Sequence, residues 1–290
     1  MFSEIIIRPP VEADSILIAV TEGCSWNRCV FCSVYKGLQD FRIRRVEEIL
    51  EDIEKAKLYY GDATNMFLAG GNATCAPTEM LVTILTHLYA TFPGLRHVSA
   101  YAKNHDLLNK SPEELKALRE VGLKTIYMGL ESGSARILRE MRKGATPNAM
   151  IRASKKAMAA GLYLSLYVIL GLGGQDLSEE HALETAQVLN AIDPDVIRFR
   201  TLNIIPNAPL VERIQNGEFK LLTPIDLLRE QRIIIANLGV HSEIRNDHIS
   251  NYEYFEGKLP EDKTAMLKLL DMRINDPATR FLKSKRLIHM

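Results

Sequence analysis

The chain has 290 residues, 47% of them hydrophobic and 25% charged, which is typical of a globular protein with a sizeable core. Lys plus Arg and Asp plus Glu both total 36, so the formal net charge is zero, which argues against a protein built mainly to hold a polyanion. No apolar run approaches the ~20 residues that span a bilayer, and the opening MFSEIIIRPP lacks the order of a secretory signal, so we expect a cytoplasmic protein without membrane contact.

Short apolar runs alternate with amphipathic stretches along most of the chain. The runs are predicted strands, and in chain order they cover residues 15–20, 65–70, 97–102, 124–130, 163–172 and 196–205. Strict alternation of strand and helix indicates parallel strands joined by right-handed crossovers. The expected fold is therefore α/β, and we favour a partial (β/α)6 TIM-type barrel over an open doubly wound sheet.

The amphipathic stretches between the runs predict helices, and several carry start and stop signals. Ser111 before Pro112 is typical of a capped helix start, as is Ser178 before two glutamates. Gly122 and Gly161 stand where helices are expected to end.

The alternation stops after Pro224. A helix is predicted from that proline, followed by a polar irregular stretch over 241–262 and a last helix from about Thr264. We expect two domains, a barrel over residues 1–223 and a C-terminal helical and loop cap over residues 224–290 that packs on it.

Three of the four cysteines, Cys24, Cys29 and Cys32, lie close together in the stretch GCSWNRCVFC, and the fourth is Cys75. The stretch directly follows the first predicted strand, at the end of a parallel sheet where sites form. Reducing compartments seldom keep structural disulfides, and clustered cysteines there more often bind metal or perform redox chemistry.

Three interpretations of these cysteines stay open. They are unrelated structural thiols, which their common loop disfavours; or a zinc site completed by Cys75, which the three-plus-one grouping disfavours; or the ligands of an iron–sulfur cluster. A four-iron cluster with three thiolates keeps one iron open for another ligand, which suits a catalyst better than an electron carrier.

The cysteine stretch resembles the radical S-adenosylmethionine (SAM) superfamily, and the likeness extends over about residues 15–210. The spacing here is CxxxxCxxC, one residue longer than the usual CxxxCxxC. The resemblance implies that Cys24, Cys29 and Cys32 bind a [4Fe–4S] cluster. It also implies that the open iron chelates SAM and that an electron from the cluster releases a 5′-deoxyadenosyl radical.

Further stretches resemble the segments that hold SAM in that superfamily. Phe31 stands where an aromatic ring packs near adenine. The stretch AGGN matches a GGE-like segment, in which Gly70 and Gly71 would let the backbone approach the methionyl group. Asn72 replaces an acidic residue there and would accept a hydrogen bond from the amino group of SAM.

The stretch GLESGS is similar to one in the branch of coproporphyrinogen dehydrogenase, Elp3 and MiaB-like proteins. The likeness implies that Glu131 accepts hydrogen bonds from the ribose, and that Lys143 lies near the SAM carboxylate, where that branch often has arginine. VILGLGG resembles a segment whose backbone, here at Leu170, lies along adenine. Tyr101 and Tyr167 stand in place of acidic contacts and either stack on SAM, donate hydroxyls to it or fill the barrel.

The resemblance implies an enzyme that cleaves SAM reductively and acts on a small molecule, with an external electron donor of the flavodoxin or ferredoxin type. Nucleic acid is not expected as a partner. Two alternatives remain: an RNA-modifying radical SAM enzyme, and a non-catalytic iron–sulfur carrier or sensor. Candidates for the substrate side, with Cys75 as a possible hydrogen-atom donor, are Cys75, His105, Arg200, Asn203, His248, Asn251, Tyr252 and Tyr254.

Overall fold

The computed structural model describes residues 7–276 of the chain. The strands are β1 (Ile16–Ala19), β2 (Thr21–Glu22), β3 (Arg42–Ile43), β4 (Asn65–Ala69), β5 (His97–Ala102), β6 (Leu123–Glu131), β7 (Tyr163–Leu170), β8 (Val196–Thr201), β9 (Glu243–Arg245) and β10 (Glu256–Lys258). The α-helices are α1 (Val46–Tyr60), α2 (Thr78–Thr91), α3 (Asn104–Asn109), α4 (Pro112–Glu120), α5 (Ala135–Glu140), α6 (Pro147–Ala159), α7 (Ser178–Ile192), α8 (Pro209–Gln215), α9 (Pro224–Asn237) and α10 (Lys263–Asn275). A helix follows each strand from β3 to β8, which is the α/β pattern that the sequence predicts.

One compact unit comprises residues 7–27, 34–128 and 152–164. In it, β1, β4, β5 and the first part of β6 lie side by side in that order and run parallel. Their side chains are apolar on both faces, as expected of parallel strands covered by helices, and Phe67 and Met66 are fully buried.

The carboxyl ends of β1 and β4 lie at one edge of this unit, because the register places Ala19 level with Ala69. After β1 the chain forms β2, which pairs with β3 in a two-residue antiparallel ladder. The cysteine stretch leaves the sheet between these two short strands, so its start is held beside the end of β4.

The second compact unit comprises residues 28–33, 129–151 and 165–276. Here β7 and β8 run parallel, β9 runs parallel to β8, and β10 is antiparallel to β9. Helix α9 lies against α7 and α10, and buries Leu228 and Ile235. Thr223 caps α9, since its hydroxyl accepts a hydrogen bond from the third residue of the helix.

The predicted α/β class with parallel strands is confirmed, and each of the six predicted strands is present. The fifth and sixth end earlier than predicted, at Leu170 and Thr201, and a loop follows each of them. Ser111 caps α4 as predicted. Ser178 is the first residue of α7 rather than its cap, since its hydroxyl bonds to Glu230 instead.

The polar stretch 241–262, predicted to be irregular, contains β9 and β10. Each strand has three residues, and only Ile244 of β9 is a buried apolar residue. A single apolar position gives no detectable alternation, so the sequence prediction was wrong here. The predicted domain boundary after residue 223 stays a prediction.

Within residues 7–276, every helix is too short or too polar to cross a lipid bilayer.

Candidate functional site

Cys24 lies in the first unit, directly against the loop that follows β4. The Gly71 N–H donates to the Gly23 carbonyl at 2.9 Å. A Cβ atom at position 71 would lie only 2.5 Å from the Cα of Cys24, so glycine is required for the two loops to touch. Gly71, the second glycine of the pair that resembles a SAM-binding segment, therefore also positions the first cysteine, whereas Gly70 approaches Thr21.

Asn72 is completely buried beside this cysteine and is fixed at both ends of its amide. Its Oδ1 accepts from the Ser25 N–H at 3.2 Å, and its Nδ2 donates to both oxygens of Asp106, at 3.0 and 2.8 Å. Asp106 also accepts from the Lys103 N–H and the Thr74 hydroxyl, each at 3.0 Å. The side chain predicted to meet the SAM amino group thus braces the cysteine loop as well, and Asp106 was missed by sequence analysis.

Cys75 lies on a short 3-10 turn after Asn72 and is partly buried. Burial raises the pKa of its thiol to about 12, the nearby charge of Asp106 raises it further, and Lys110 opposes the shift. At neutral pH Cys75 therefore keeps its proton.

Tyr101 lies at the carboxyl end of β5 in an aromatic group of the first unit. Its ring centroid is 5.0 Å from that of Phe67 and 6.3 Å from that of Tyr127, both in edge-to-face geometry. The ring is partly buried, so barrel filling accounts for part of its surface, and its contact with SAM stays a prediction.

Cys29 and Cys32 lie in the second unit, where Phe31 between them is partly buried. All four cysteines of the chain are reduced thiols. Phe31 packs against an apolar cluster formed by Val30, Ile137, Met141, Leu172, Leu210 and Phe219. This contact fixes the Phe31 side chain, which directly precedes Cys32 in the sequence.

The backbone of this second part of the cysteine loop is tied to two other loops of the same unit. The Val30 N–H donates to the Met141 carbonyl at 2.9 Å, and the Val30 carbonyl accepts from the Leu210 N–H at 3.0 Å. The Ser33 hydroxyl donates to the Pro206 carbonyl at 2.8 Å. The loop is thus held by the segments after β6 and β8.

Glu131 ends β6 with φ 64°, a left-handed conformation that costs a non-glycine residue ~1–3 kcal/mol. Its Oε1 accepts from the Lys143 ammonium at 2.6 Å, and the two side chains are only 11% and 14% exposed. Gly129 leaves room for this pair, because a Cβ there would lie 1.9 Å from Oε1. Among the described residues, Oε2 of Glu131 receives no hydrogen bond, so it can accept one from a ligand.

The loop after β7 is held by a buried carboxylate from α9. The Leu170 carbonyl accepts from the Leu202 N–H at 2.9 Å. The Gly171 N–H donates to Oε1 of Glu230 at 2.6 Å, and the Ser178 hydroxyl donates to Oε2 at 2.6 Å. Burial raises the pKa of Glu230 to about 7.

His181 on α7 continues this network toward the end of β6. Its Nδ1 is 2.8 Å from the Ser132 hydroxyl, and its Nε2 is 3.7 Å from Oε1 of Glu230. Both side chains of the pair are fully buried, and burial lowers the pKa of His181 to about 4. The residue after Glu131 and the loop at Gly171 are therefore braced through one pair of helices.

Two of the substrate-side candidates have other roles. Asn251 is 3% exposed, and its amide accepts from the Thr201 N–H and donates to the Phe199 carbonyl, each at 2.8 Å. Tyr254 is exposed and donates to Glu256.

The Arg200 guanidinium lies over the ring of Tyr167, at 4.5 Å from its centroid.

A zinc ion needs four ligands around one point. Over residues 7–276, no group of three or more His, Cys, Asp and Glu side chains is placed to hold a metal ion of any kind, so this finding does not separate zinc from iron.

A mostly parallel α/β fold with a three-cysteine loop after β1 defines the class of protein. The sequence profile of the Radical SAM superfamily matches residues 18–186. The chain belongs to this superfamily, whose enzymes use a [4Fe–4S] cluster and SAM.

Three similar proteins illustrate the relationship. An uncharacterized methyltransferase of Pyrococcus horikoshii is 30% identical over 208 residues, covering 69% of this chain and 43% of the relative. The heme chaperone HemW of Bacillus subtilis is 23% identical, covering 77% of this chain and 60% of the relative. The solved structure of coproporphyrinogen III oxidase from Escherichia coli superposes with a TM-score of 0.58 at 16% identity, covering 77% of this chain and 52% of that one.

The likeness in structure confirms the predicted partial TIM-type barrel. The chain spans about half the length of the relatives that it matches.

Individual residues have the chemistry that the two cofactors of the superfamily require. Cys24, Cys29 and Cys32 form no disulfide and are only partly buried, as thiol ligands of a cluster need to be. At Gly71 the backbone approaches Cys24 with no side chain of its own in between. Glu131 presents an acceptor oxygen in a conformation that the fold holds at a cost, which is typical of functional sites.

Proposed function

We propose that this protein binds a [4Fe–4S] cluster through Cys24, Cys29 and Cys32, cleaves SAM reductively and acts on a small molecule. The observation that carries the proposal is the glycine contact at Gly71, which holds Cys24 against the loop after β4. The same loop carries the backbone expected to face SAM.

When bound, the cluster supplies the electron that splits SAM into methionine and a 5′-deoxyadenosyl radical. The side chains of the chain orient the cofactor. Oε2 of Glu131 accepts a hydrogen bond from a ribose hydroxyl of SAM. Lys143 holds the Glu131 carboxylate in place by donating to its Oε1. Phe31 packs near the adenine, and the backbone at Leu170 lies along it, held by the bond to Leu202.

Cys75 is proposed as a hydrogen-atom donor to a substrate radical. The transfer leaves a thiyl radical on Cys75, and one electron from the external reductant together with one proton from solvent returns it to the thiol. Because its pKa is raised to about 12, the S–H bond is intact at neutral pH, as such a donor requires. A fourth cysteine ligand would block the open iron that SAM must reach.

A small-molecule substrate agrees with the zero net charge of the chain, because RNA-binding enzymes need a surplus of Lys and Arg along the phosphate path. A reductant is also required, and we propose a flavodoxin or ferredoxin.

The test is anaerobic reconstitution with iron and sulfide, followed by iron analysis and a search for 5′-deoxyadenosine after addition of dithionite and SAM. We expect about four irons per chain. Ala in place of Cys24, Cys29 or Cys32 should remove the iron and the product.

Cys75→Ala is the matched control and should keep both the iron and 5′-deoxyadenosine formation. Wild-type protein that takes up iron but neither binds nor cleaves SAM would favour an iron–sulfur carrier. Protein that takes up zinc and no iron would refute the proposal entirely.

A further inference from the structure

Two arginines of β8, Arg198 and Arg200, point to the same face of the second unit. The register pairs Tyr167 with Arg198 and Ile169 with Arg200, and paired residues of parallel strands share a face. Ile169 packs against the apolar cluster that also receives Phe31 of the cysteine loop. Arg200, one residue before the end of β8, therefore lies beside the part of the site that this unit contributes.

The two guanidinium groups differ in how their charge is balanced. Arg198 is 9% exposed, donates to the Ser165 hydroxyl at 3.2 Å and pairs with Asp247 at 3.3 Å. Arg200 forms no ion pair with any carboxylate of residues 7–276. Arg245 of β9, in register with Arg198, is also paired, with Glu243 and Glu256. Arg200 is thus the arginine of this group that lacks a carboxylate partner among residues 7–276.

The fold nevertheless holds Arg200 in a defined position. Its guanidinium lies over the ring of Tyr167, which is 7% exposed and so cannot turn away. Beyond the hydrogen bond with the Tyr167 hydroxyl, stacking on one face leaves the remaining N–H groups at the guanidinium edge available to a ligand. Burial raises the pKa of Tyr167 against the opposing charges of Arg200 and Arg198, so its hydroxyl stays protonated and adds no negative charge.

A partly buried, oriented guanidinium without a carboxylate partner among residues 7–276 matches a ligand with one negative charge and a planar pair of oxygens. A carboxylate has both properties. A phosphate dianion would need a second free cation, and Arg198 is already paired with Asp247. Lys143, the cation expected near the SAM carboxylate, is paired with Glu131, so the experiment has to distinguish a substrate carboxylate from the carboxylate of SAM.

We propose that Arg200, stacked on Tyr167, binds a carboxylate group of the substrate. That the ligand is a substrate rests on the proposed function, whereas the carboxylate site itself rests only on the geometry of β7 and β8.

The test is equilibrium dialysis of radiolabelled monocarboxylates against the reconstituted holoenzyme saturated with SAM. The probes are hexanoate, benzoate and indole-3-acetate, each competed with its own primary amide and with inorganic phosphate. We expect at least one carboxylate to bind, and neither its amide nor phosphate to displace it.

The variants separate charge, stacking and fold. Arg200→Gln should weaken carboxylate binding about tenfold or more, because it removes charge-assisted hydrogen bonds, and Arg200→Lys should lie between it and wild type. Arg213→Gln is the matched control, since Arg213 also lies over a ring, at 6.0 Å from the centroid of Phe219, on α8. It should bind like wild type, and circular dichroism verifies the fold of each variant.

Three results would overturn the inference. They are wild-type protein that binds none of the carboxylates better than its amide, equal loss in Arg200→Gln and Arg213→Gln, and SAM affinity that falls tenfold in Arg200→Gln, which would assign the residue to the cofactor. Failure of the proposed function is distinguishable, because carboxylates would then bind while 5′-deoxyadenosine never forms.

Discussion

Glu131 combines a left-handed backbone with a carboxylate that has one oxygen on Lys143 and one oxygen open. Glu131→Ala should weaken SAM binding by ~1.5–3 kcal/mol, the range for hydrogen bonds to a charged group, which is about 10- to 150-fold in affinity. Isothermal titration of the reconstituted protein with SAM measures this effect. The iron content should not change, because Glu131 is not among the proposed ligands of the cluster.

Glu140→Ala is a suitable control for Glu131→Ala, since Glu140 lies on α5 and pairs with Arg136 at the surface. Equal SAM affinity in Glu131→Ala and wild type would remove Glu131 from the site.

At the scale of single residues, the sequence identifies some members of the site and not others. The cysteines, Glu131 and Lys143 stand in recognisable motifs, but the ion pair between the last two depends on the φ angle of Glu131, which no motif encodes. Asp106 has no motif at all. Its role follows from the position of Asn72, more than 30 residues earlier in the chain.

At the scale of elements, helices α7 and α9 carry a fully buried pair, His181 and Glu230, whose effects on stability oppose each other. Between its usual pKa of 4.5 and its raised pKa of about 7, Glu230 loses its proton only in the unfolded chain, so stability falls as pH rises. Between its usual 6.5 and its lowered pKa of about 4, His181 gains a proton only in the unfolded chain, so stability falls as pH falls.

Each of these pKa shifts corresponds to about 3 kcal/mol, and in wild type the two slopes offset each other between about pH 4.5 and 6.5. Glu230→Gln removes the part of the pH dependence of stability that comes from Glu230. Its free energy of unfolding, relative to wild type, should therefore rise by about 3 kcal/mol as the pH increases from 4.5 to 7. Denaturant unfolding across this range measures the difference.

His181→Gln should show the opposite trend relative to wild type, and the exposed Glu120→Gln should show none. A flat difference curve for Glu230→Gln would mean that the carboxyl group is ionised throughout the range.

The elements themselves were predictable to the extent that they bury apolar runs. The strands from β4 to β8 do so over five or more residues, and the sequence predicts each of them. The strands β9 and β10 have three residues each, and what holds β9 is a parallel ladder to β8, a partner more than 40 residues away. Local pattern carries no information on such a pairing.

At the scale of the whole molecule, residues 224–276 supply partners to β7 and β8 within the second unit. β9 extends the sheet beside β8, Asn251 bonds to the β8 backbone, and Glu230 holds the Gly171 N–H. We therefore expect a protein of residues 1–223 to lose cooperative unfolding, because these backbone groups would be left without partners. Thermal unfolding followed by circular dichroism tests this.

A sharp, reversible transition in the shortened protein, with a native-like spectrum, would show instead that the predicted barrel folds without its cap. Wild-type protein measured beside it sets the amplitude of a cooperative transition.

The bond between Asn72 and Asp106 constrains how this sequence can diverge. An acidic residue at position 72, as in the segments it resembles, would place two carboxylates about 3 Å apart, where one must take up a proton. A neutral residue at position 106 alone would leave the Asn72 amide without its acceptor. Each single replacement is thus disfavoured, whereas the double replacement is not. Homologues with an acidic residue at position 72 should therefore carry a neutral side chain at position 106, the two positions changing together.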